Sequence, residues 1–420
     1  MRDLLPQLLD WWRADERAAV ATVVRTFRSA PREPGAAMAV GPGGEVIGSV
    51  SGGCVEGAVY DLGLEVAETG RPVAARYGVT DDDAFDVGLT CGGTIEVFVA
   101  PLSRAAWPGF DSFARRVLGA SPPDGGGAPS GVCLATVVGA DGGGSDDGGG
   151  AAAGDGGARV GDARVGDARF GDGGALGRHL VVPGAGADGP DGPDGPDGTL
   201  GDPGLDTAVT ADAVGQIAAG ASALREYGPH GERTGTGTRV FLQVFAPPPR
   251  LLVFGAIDFA AALARAGRLL GYRVTVCDAR PVFATPARFP EADEVVTEWP
   301  HRYLAAEIAA GRVSARDAVC VLTHDAKFDV PLLHTALTDL PDGTYVGAMG
   351  SRRAHAERAA RLVEDGVPRA ALNRLHSPIG LDLGARTPDE TAVSIVAELI
   401  AARSGATARP LRETDGPIHG

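Results

Sequence analysis

From Arg250 to Arg403 strand and helix patterns alternate, and no other feature of the sequence restricts the fold as much. Arg250-Leu-Leu-Val-Phe-Gly255 reads as a strand entering a turn, Phe259 to Leu270 as a helix, and Arg273-Val-Thr-Val-Cys-Asp278 as the next strand. Glu294-Val-Val296, a helix near Tyr303 to Ala310, Ala318 to Thr323, a helix after Val330 and Tyr345-Val-Gly347 continue the series. Helices from Ala354 to Asp365 and from Asp389 to Arg403 complete it. Helical crossovers force neighbouring strands parallel and cover both sheet faces. The expectation is an α/β, Rossmann-like, doubly wound parallel sheet over 250–405, followed by a tail over 406–420. Ala246-Pro247-Pro248-Pro249 precedes it as a stiff linker.

The first 247 residues read as two copies of one α+β unit. After an amphipathic helix over residues 3–17, the first copy has strands at Ala19 to Val24, Ala37 to Val40, Val46 to Val50 and Thr94 to Ala100, with a helix from Val55 to Glu68. Cys133 to Val138, His179 to Val182, Gly198 to Gly201, Ala208 to Leu224 and Arg239 to Pro247 echo these in order. The copies are assigned to 1–125 and 126–246. The second holds a Gly/Asp/Pro-rich insertion over about 140–198. Its composition buries too little apolar surface to offset an ordering cost of about 1–2 kcal/mol per residue, so a disordered loop is expected there apart from His179 to Val182.

Two turns place a thiol beside a Gly-Gly pair: Ser51-Gly52-Gly53-Cys54-Val55-Glu56 and Leu89-Thr90-Cys91-Gly92-Gly93. Glycine lets the backbone approach a ligand closely. Cys54 is expected at a helix N-terminus, where amides and the dipole favour an anion and activate a thiol. The second copy has Gly201-Asp-Pro-Gly-Leu-Asp206 in place of the first turn and no counterpart of the second. A duplication that keeps the scaffold and drops the thiols assigns chemistry to the first copy. The competing reading of each cysteine is a small buried hydrophobe.

In the C-terminal domain, Gly255-Ala-Ile-Asp-Phe-Ala260 stands where a dinucleotide fold carries G-x-G-x-x-G, but only Gly255 is kept and Asp258 opposes a phosphate. Asp278 ends the second strand at the distance of a ribose contact. His324, Asp325 and Lys327 cluster in Thr323 to Asp329 and read as either a polar site or a helix cap. Gly347, Gly350, Ser351, Arg352 and Arg353 form a glycine turn opening a helix, suited to a phosphate. Arg386 follows a glycine loop, and Thr387-Pro-Asp-Glu390 reads as a capping box.

The chain carries a net charge of −16, which opposes nucleic-acid and anionic-membrane partners. Five dispersed cysteines without C-x-x-C argue against a zinc site, and the N-terminus has no signal-peptide apolar core. A cytoplasmic protein with reduced thiols is expected.

Ala30-Pro-Arg-Glu-Pro-Gly35, Ser51 to Glu56, Gly88 to Gly93, Leu252 to Gly255, Val276 to Arg280, Leu322 to Asp325, Gly347 to Arg353 and Ile379 to Gly384 together resemble the XdhC/CoxI family. The resemblance covers nearly the whole chain except the insertion. It implies an accessory protein of xanthine dehydrogenase or a related molybdenum hydroxylase. Such a protein binds molybdenum cofactor, as molybdopterin or its dinucleotide form. It protects the cofactor, assists exchange of an oxo ligand for sulfide with a cysteine desulfurase, and delivers it to the apo-enzyme. A homo-oligomer is expected. Cys54 is the first choice for molybdenum contact and Cys91 the second, with Glu56 or His324 shuttling protons and the two domains closing around one site. Ser51, Gly52, Gly53, Gly92 and Gly93 would face the cofactor. So would Gly255, Asp278, Asp325, Lys327, Gly347, Gly350, Ser351, Arg352, Arg353 and Arg386. The alternative is an NAD(P)-dependent oxidoreductase using the C-terminal domain.

Overall fold

A computed structural model describes residues 1–27, 32–78, 93–119, 131–140, 175–184 and 195–415. They fall into two compact units, one ending at Pro247 and the other running from Pro248 to Asp415. Most of the expected disordered insertion, Cys91 and Gly92 lie outside the described residues.

The first unit begins with α1 (Leu5–Arg13). The first copy follows as β1 (Ala18–Phe27), β2 (Ala37–Val40), β3 (Val46–Gly48), α2 (Glu56–Thr69), β4 (Val73–Gly78) and β5 (Thr94–Leu102). Then comes α3 (Phe110–Leu118). The second copy consists of β6 (Val132–Ala140), β7 (His179–Pro183), β8 (Asp197–Gly198), α4 (Pro203–Ala219), β9 (Ala223–Tyr227) and β10 (Thr238–Phe245). The two antiparallel sheets have the same order, β3-β2-β1-β5-β4 and β8-β7-β6-β10-β9. The register repeats as well: Thr22 faces Phe98 in one sheet and Thr136 faces Phe241 in the other. The expected duplication is thus present down to individual strand pairs.

Equivalent residues of the two copies meet each other. Phe98 and Phe241 share a buried cluster with Val24 and Val138. Glu96 and Arg239, which also correspond, form a largely buried ion pair at 2.5 Å. Self-pairing of equivalents is the mark of a two-fold contact. Helices α1 and α3 close one side of the core with Leu5, Leu8, Trp11, Phe110 and Phe113. The sequence reading did not anticipate α3, although Phe110, Phe113, Ala114 and Val117 are buried at helical spacing.

The second unit contains β11 (Arg250–Phe254), α5 (Asp258–Leu269), β12 (Arg273–Asp278), β13 (Glu294–Thr297), α6 (Pro300–Ala309) and β14 (Ala318–Val321). It continues with α7 (Ala326–Asp339), β15 (Tyr345–Ala348), α8 (Arg352–Glu364), β16 (Leu375–His376) and α9 (Pro388–Ser404). Every strand pair is parallel, in the order β13-β12-β11-β14-β15-β16. That is the 3-2-1-4-5-6 order of a Rossmann sheet, with its switch point between β11 and β14. Helices α5 and α9 cover one face, and α6, α7 and α8 the other. Helix α7 starts before Val330 because Asp325 caps it, and Pro331 is accommodated inside.

The two-fold contact predicts a stability effect. Phe98→Ala and Phe241→Ala should each cost about 3–5 kcal/mol by leaving a cavity in the shared cluster. Because the two rings share that cluster, the double variant should fall short of the sum in chemical denaturation.

Candidate functional site

The Cys54 turn is organised by one carboxylate. Glu56 accepts hydrogen bonds from Ser49 Oγ at 2.7 Å, Ser51 Oγ at 2.5 Å, and the amides of Ser51, Gly52 and Gly53 at 2.9, 2.9 and 2.8 Å. Ser51 Oγ in turn accepts from the amides of Cys54 and Val55. Gly52 and Gly53 adopt φ of +80° and +121°, a region open mainly to glycine. Among the described residues, nothing lies within 4 Å of a Cβ built at either glycine. Cys54 sits immediately before the N-cap Val55, half-buried against the core of the first copy.

This geometry corrects the role expected of Glu56. Burial alone would raise its pKa, but the hydrogen bonds from Ser51, Ser49 and the loop amides outweigh burial and hold it at about 2. A group ionised at all working pH values does not shuttle protons at neutrality. The loop amides expected to receive a ligand anion already hold this one, and Ser51 is buried within the same network.

The second copy separates scaffold from site. A single shift of numbering carries Ser49, Glu56, Val59, Gly70 and Tyr77 onto Thr199, Asp206, Val209, Gly220 and Tyr227. Asp206 accepts from Thr199 Oγ1 and from the Leu200 amide, each at 2.7 Å, the first matching the Ser49 bond to Glu56. The acid therefore belongs to the scaffold. What differs is the turn itself. Helix α4 begins at Pro203 under an Asp202 cap, whereas α2 begins only at Glu56, so Gly53-Cys54-Val55 stands in place of the first helical turn. Gly204 occupies the place of Cys54, and the His230 carbonyl packs where its Cβ would be.

The other described cysteines are buried. Burial pushes Cys133 and Cys277 up to about 12 and raises Cys320 as well. Cys54 is thus the one described cysteine that is not buried. Gly93 is buried at the start of β5. Among the described residues, no group of three His, Cys, Asp or Glu side chains could hold a metal ion, and no helix is long and apolar enough to cross a membrane.

In the second unit several expected ligand contacts prove structural. Gly255 has φ +116°, and a Cβ there would lie 2.9 Å from the Thr323 methyl, so this glycine serves strand packing. The Asp278 carboxylate accepts from the Ala256 amide, the Arg280 amide and two Arg280 guanidinium nitrogens. Burial opposes its charge, yet Arg280 and these amides hold it below the usual carboxylate range. Its lone pairs are filled, which leaves no room for a ribose hydroxyl. Gly347 is buried, and a side chain there would collide with Ile379 and Tyr345. Asp325 caps α7 through the Lys327 amide at 3.1 Å, with Lys327 Nζ 3.5 Å from its carboxylate. His324 is exposed.

The turn between β15 and α8 keeps exposed donors. Ser351 caps α8 through the Ala354 amide at 3.1 Å, and the first turn holds no acid. Gly350 adopts φ +150°, and Arg352 and Arg353 are exposed, Arg353 lying 3.5 Å from Glu357. Arg386 is exposed ahead of the Thr387–Glu390 capping box, which forms as expected. Beneath these loops lies a buried network that the sequence reading missed. Arg358 donates to Asp329 at 3.1 Å, to the Met349 carbonyl at 2.9 Å and to Ser377 Oγ at 3.2 Å. Thr323 Oγ1 donates to Asp329. Arg358 and Leu362, one helical turn apart, are the buried residues of α8.

Residues 11–78 match the XdhC and CoxI family and residues 251–399 match the XdhC Rossmann domain, together more than half of the chain. The chain is 28% identical over 392 residues to a probable subunit of xanthine dehydrogenase from Bacillus subtilis, covering 92% of this chain and 94% of that protein. It is 24% identical over 390 residues to the molybdenum cofactor insertion chaperone PaoD of Escherichia coli, covering 92% and 83%. The crystal structure of a xanthine dehydrogenase from Bacillus halodurans matches with a TM-score of 0.61 at 21% identity, over 98% of this chain and 97% of that one, a likeness of fold.

Two measurements test the networks. Glu56 has a lowered folded pKa, so its contribution is complete above its ordinary value of 4.5 and is lost as pH falls toward 2. Glu56→Gln should cost about 1–3 kcal/mol at pH 7. The gap from the parent should close as thermal unfolding is followed down to pH 2. Arg358→Met should cost about 3–5 kcal/mol by stranding Asp329, and adding Asp329→Leu should recover most of that loss.

Proposed function

The chain belongs to the XdhC/CoxI family, and from that premise we propose that it is a molybdenum-cofactor maturation protein. It carries the cofactor as cargo, protects it, assists its sulfuration and delivers it to xanthine dehydrogenase or a related molybdenum hydroxylase. The observation that carries this reading is the Cys54 turn: the one half-buried thiol among the described cysteines, set beside two glycines with open space around them. The second copy keeps the supporting acid and loses the thiol. Thiolate suits a soft metal centre, either as a ligand or as a sulfur relay supplied by a cysteine desulfurase. Cys91 is the second thiol of this proposal.

Ser351, Arg352 and Arg353 at the α8 N-terminus suit a phosphate of such a cofactor, as molybdopterin or its dinucleotide form. Arg at a helix start opposes the dipole, and an anion relieves that conflict. NAD(P) chemistry is the weaker reading. The Ala256 amide is taken by Asp278, and Asp258 lies exposed where a pyrophosphate would dock.

The protein, purified without oxygen from cells that make the cofactor, should carry near-stoichiometric pterin by fluorescence after oxidation, and molybdenum by mass spectrometry. Cys54→Ala should lose the molybdenum. Absence of pterin from both would overturn the carrier reading and turn attention to NAD(P) titration.

A further inference from the structure

The two sheets of the first unit pack face to face, and a cavity lies between them. Along β1, Ala19, Ala21 and Val23 point toward α2, so Val20, Thr22 and Val24 point the other way. Along β6, Ala135 and Val137 point toward α4, so Leu134, Thr136 and Val138 face the first sheet. The cavity between these two faces measures about 220 Å³, and Phe98, Phe241, Trp107 and Phe110 are among the residues that line it. The copies differ at this level. Ala100 pairs with Val20 in the first sheet, whereas the corresponding residue of the second sheet, paired with Leu134, is Gln243. The small side chain of Ala100 leaves room that a second glutamine would fill.

The cavity is neither sealed nor wholly apolar. Two of its lining residues, Gly70 and Ala106, are exposed, and both also line an adjoining hollow with Arg17, Glu68 and Ser103, which gives a route from solvent. Thr22 is 9% exposed, and neither its hydroxyl nor that of Thr136 has a hydrogen-bond partner among the described residues. Gln243, 5% exposed, donates its amide nitrogen to the Gly35 carbonyl at 3.1 Å, which leaves Oε1 without a donor among the described residues. His179 lies against the Trp107 ring with centroids 4.3 Å apart, and burial lowers its pKa, so the imidazole is neutral at pH 7. No Asp, Glu, Lys or Arg side chain lines the cavity. Buried polar groups without partners are costly and call for an explanation. Water satisfies such groups in a polar hollow, but four aromatic rings line this one.

We infer that this cavity binds a neutral, planar aromatic molecule of one or two rings that carries an N–H or O–H donor for Gln243. An apolar cavity of about 150 Å³ holds benzene, so about 220 Å³ takes a larger ring system. A charged ligand would be buried there without a counter-ion. The Gln243 oxygen and the two threonine hydroxyls favour a ligand with a donor over a plain hydrocarbon. The site lies on the face of the first sheet opposite α2 and the Cys54 turn, so it is separate from the proposed cargo site. Because both copies line it, its ligand would tie them together and stabilise the folded unit by mass action.

The test uses indole as the probe on the full chain. Indole should bind in titration calorimetry and raise Tm. Indene, of the same shape without the N–H, should bind about tenfold more weakly, as expected for one lost hydrogen bond. Indole-3-acetate, which carries a charge, should not bind. Ala100→Phe should fill the cavity, hold Tm at or above the parent's and abolish the response to indole. Indole should also leave the alkylation rate of Cys54 unchanged. Lack of indole binding by the parent, equal affinity for indole and indene, or tight binding of the acetate overturns the inference. So does an intact response in Ala100→Phe, or protection of Cys54 by indole. Should Ala100→Phe not fold, the indole–indene comparison in the parent decides. The carrier reading stands or falls separately, on the pterin measurement.

Discussion

The turn around Cys54 depends on a carboxylate that never leaves it. Three consecutive amides and two hydroxyls converge on Glu56 and form a nest that would otherwise bind an external anion. With the nest filled from within, Gly52 and Gly53 are held at positive φ, and α2 is delayed until Glu56. The thiol is thereby displayed on a short non-helical segment. The second copy applies the same clamp through Asp206 but continues the helix over it, which marks the displayed turn as the departure from the scaffold.

The Rossmann unit shows a comparable division between what is satisfied internally and what faces outward. At the switch point, where such a fold ordinarily binds pyrophosphate, Asp278 ties down the Ala256 amide and Arg280. Thr323 closes on Gly255. Farther along the same edge, Arg358 ties the first turn of α7 at Asp329 to the loops at Met349 and Ser377 from below. Above it remain Ser351, Arg352 and Arg353, with no acid in the first turn of α8. Cation-rich donors thus sit two strands away from the usual phosphate position.

Much of this was legible in the sequence. Strand–helix alternation identified the parallel sheet, because crossover helices leave a strong periodic signal. The duplication was legible because strand patterns recur in order, and the capping box at Thr387 because its chemistry is local. Roles set by three-dimensional partners were not. Glu56 read as a proton carrier because its five donors, although they all lie between Ser49 and Gly53, converge on it only through the turn that Gly52 and Gly53 make. The recurrence of an acid at Asp206 was the available clue that it belongs to the scaffold. Gly347 read as a ligand glycine, although Ile379, far along the chain, is what excludes its side chain. Arg358 was passed over in a strongly charged helix, where only its one-turn spacing from Leu362 hints at burial.

The central claim is that Cys54 sits at the cargo site, and alkylation footprinting tests it most directly. The protein, with and without molybdenum cofactor, would be exposed anaerobically to a small alkylating agent and each cysteine quantified by mass spectrometry. The account predicts that Cys54 is modified in the empty protein and protected in the loaded one, while Cys133, Cys277 and Cys320 stay unmodified in both. Equal modification of Cys54 with and without bound cofactor would contradict it.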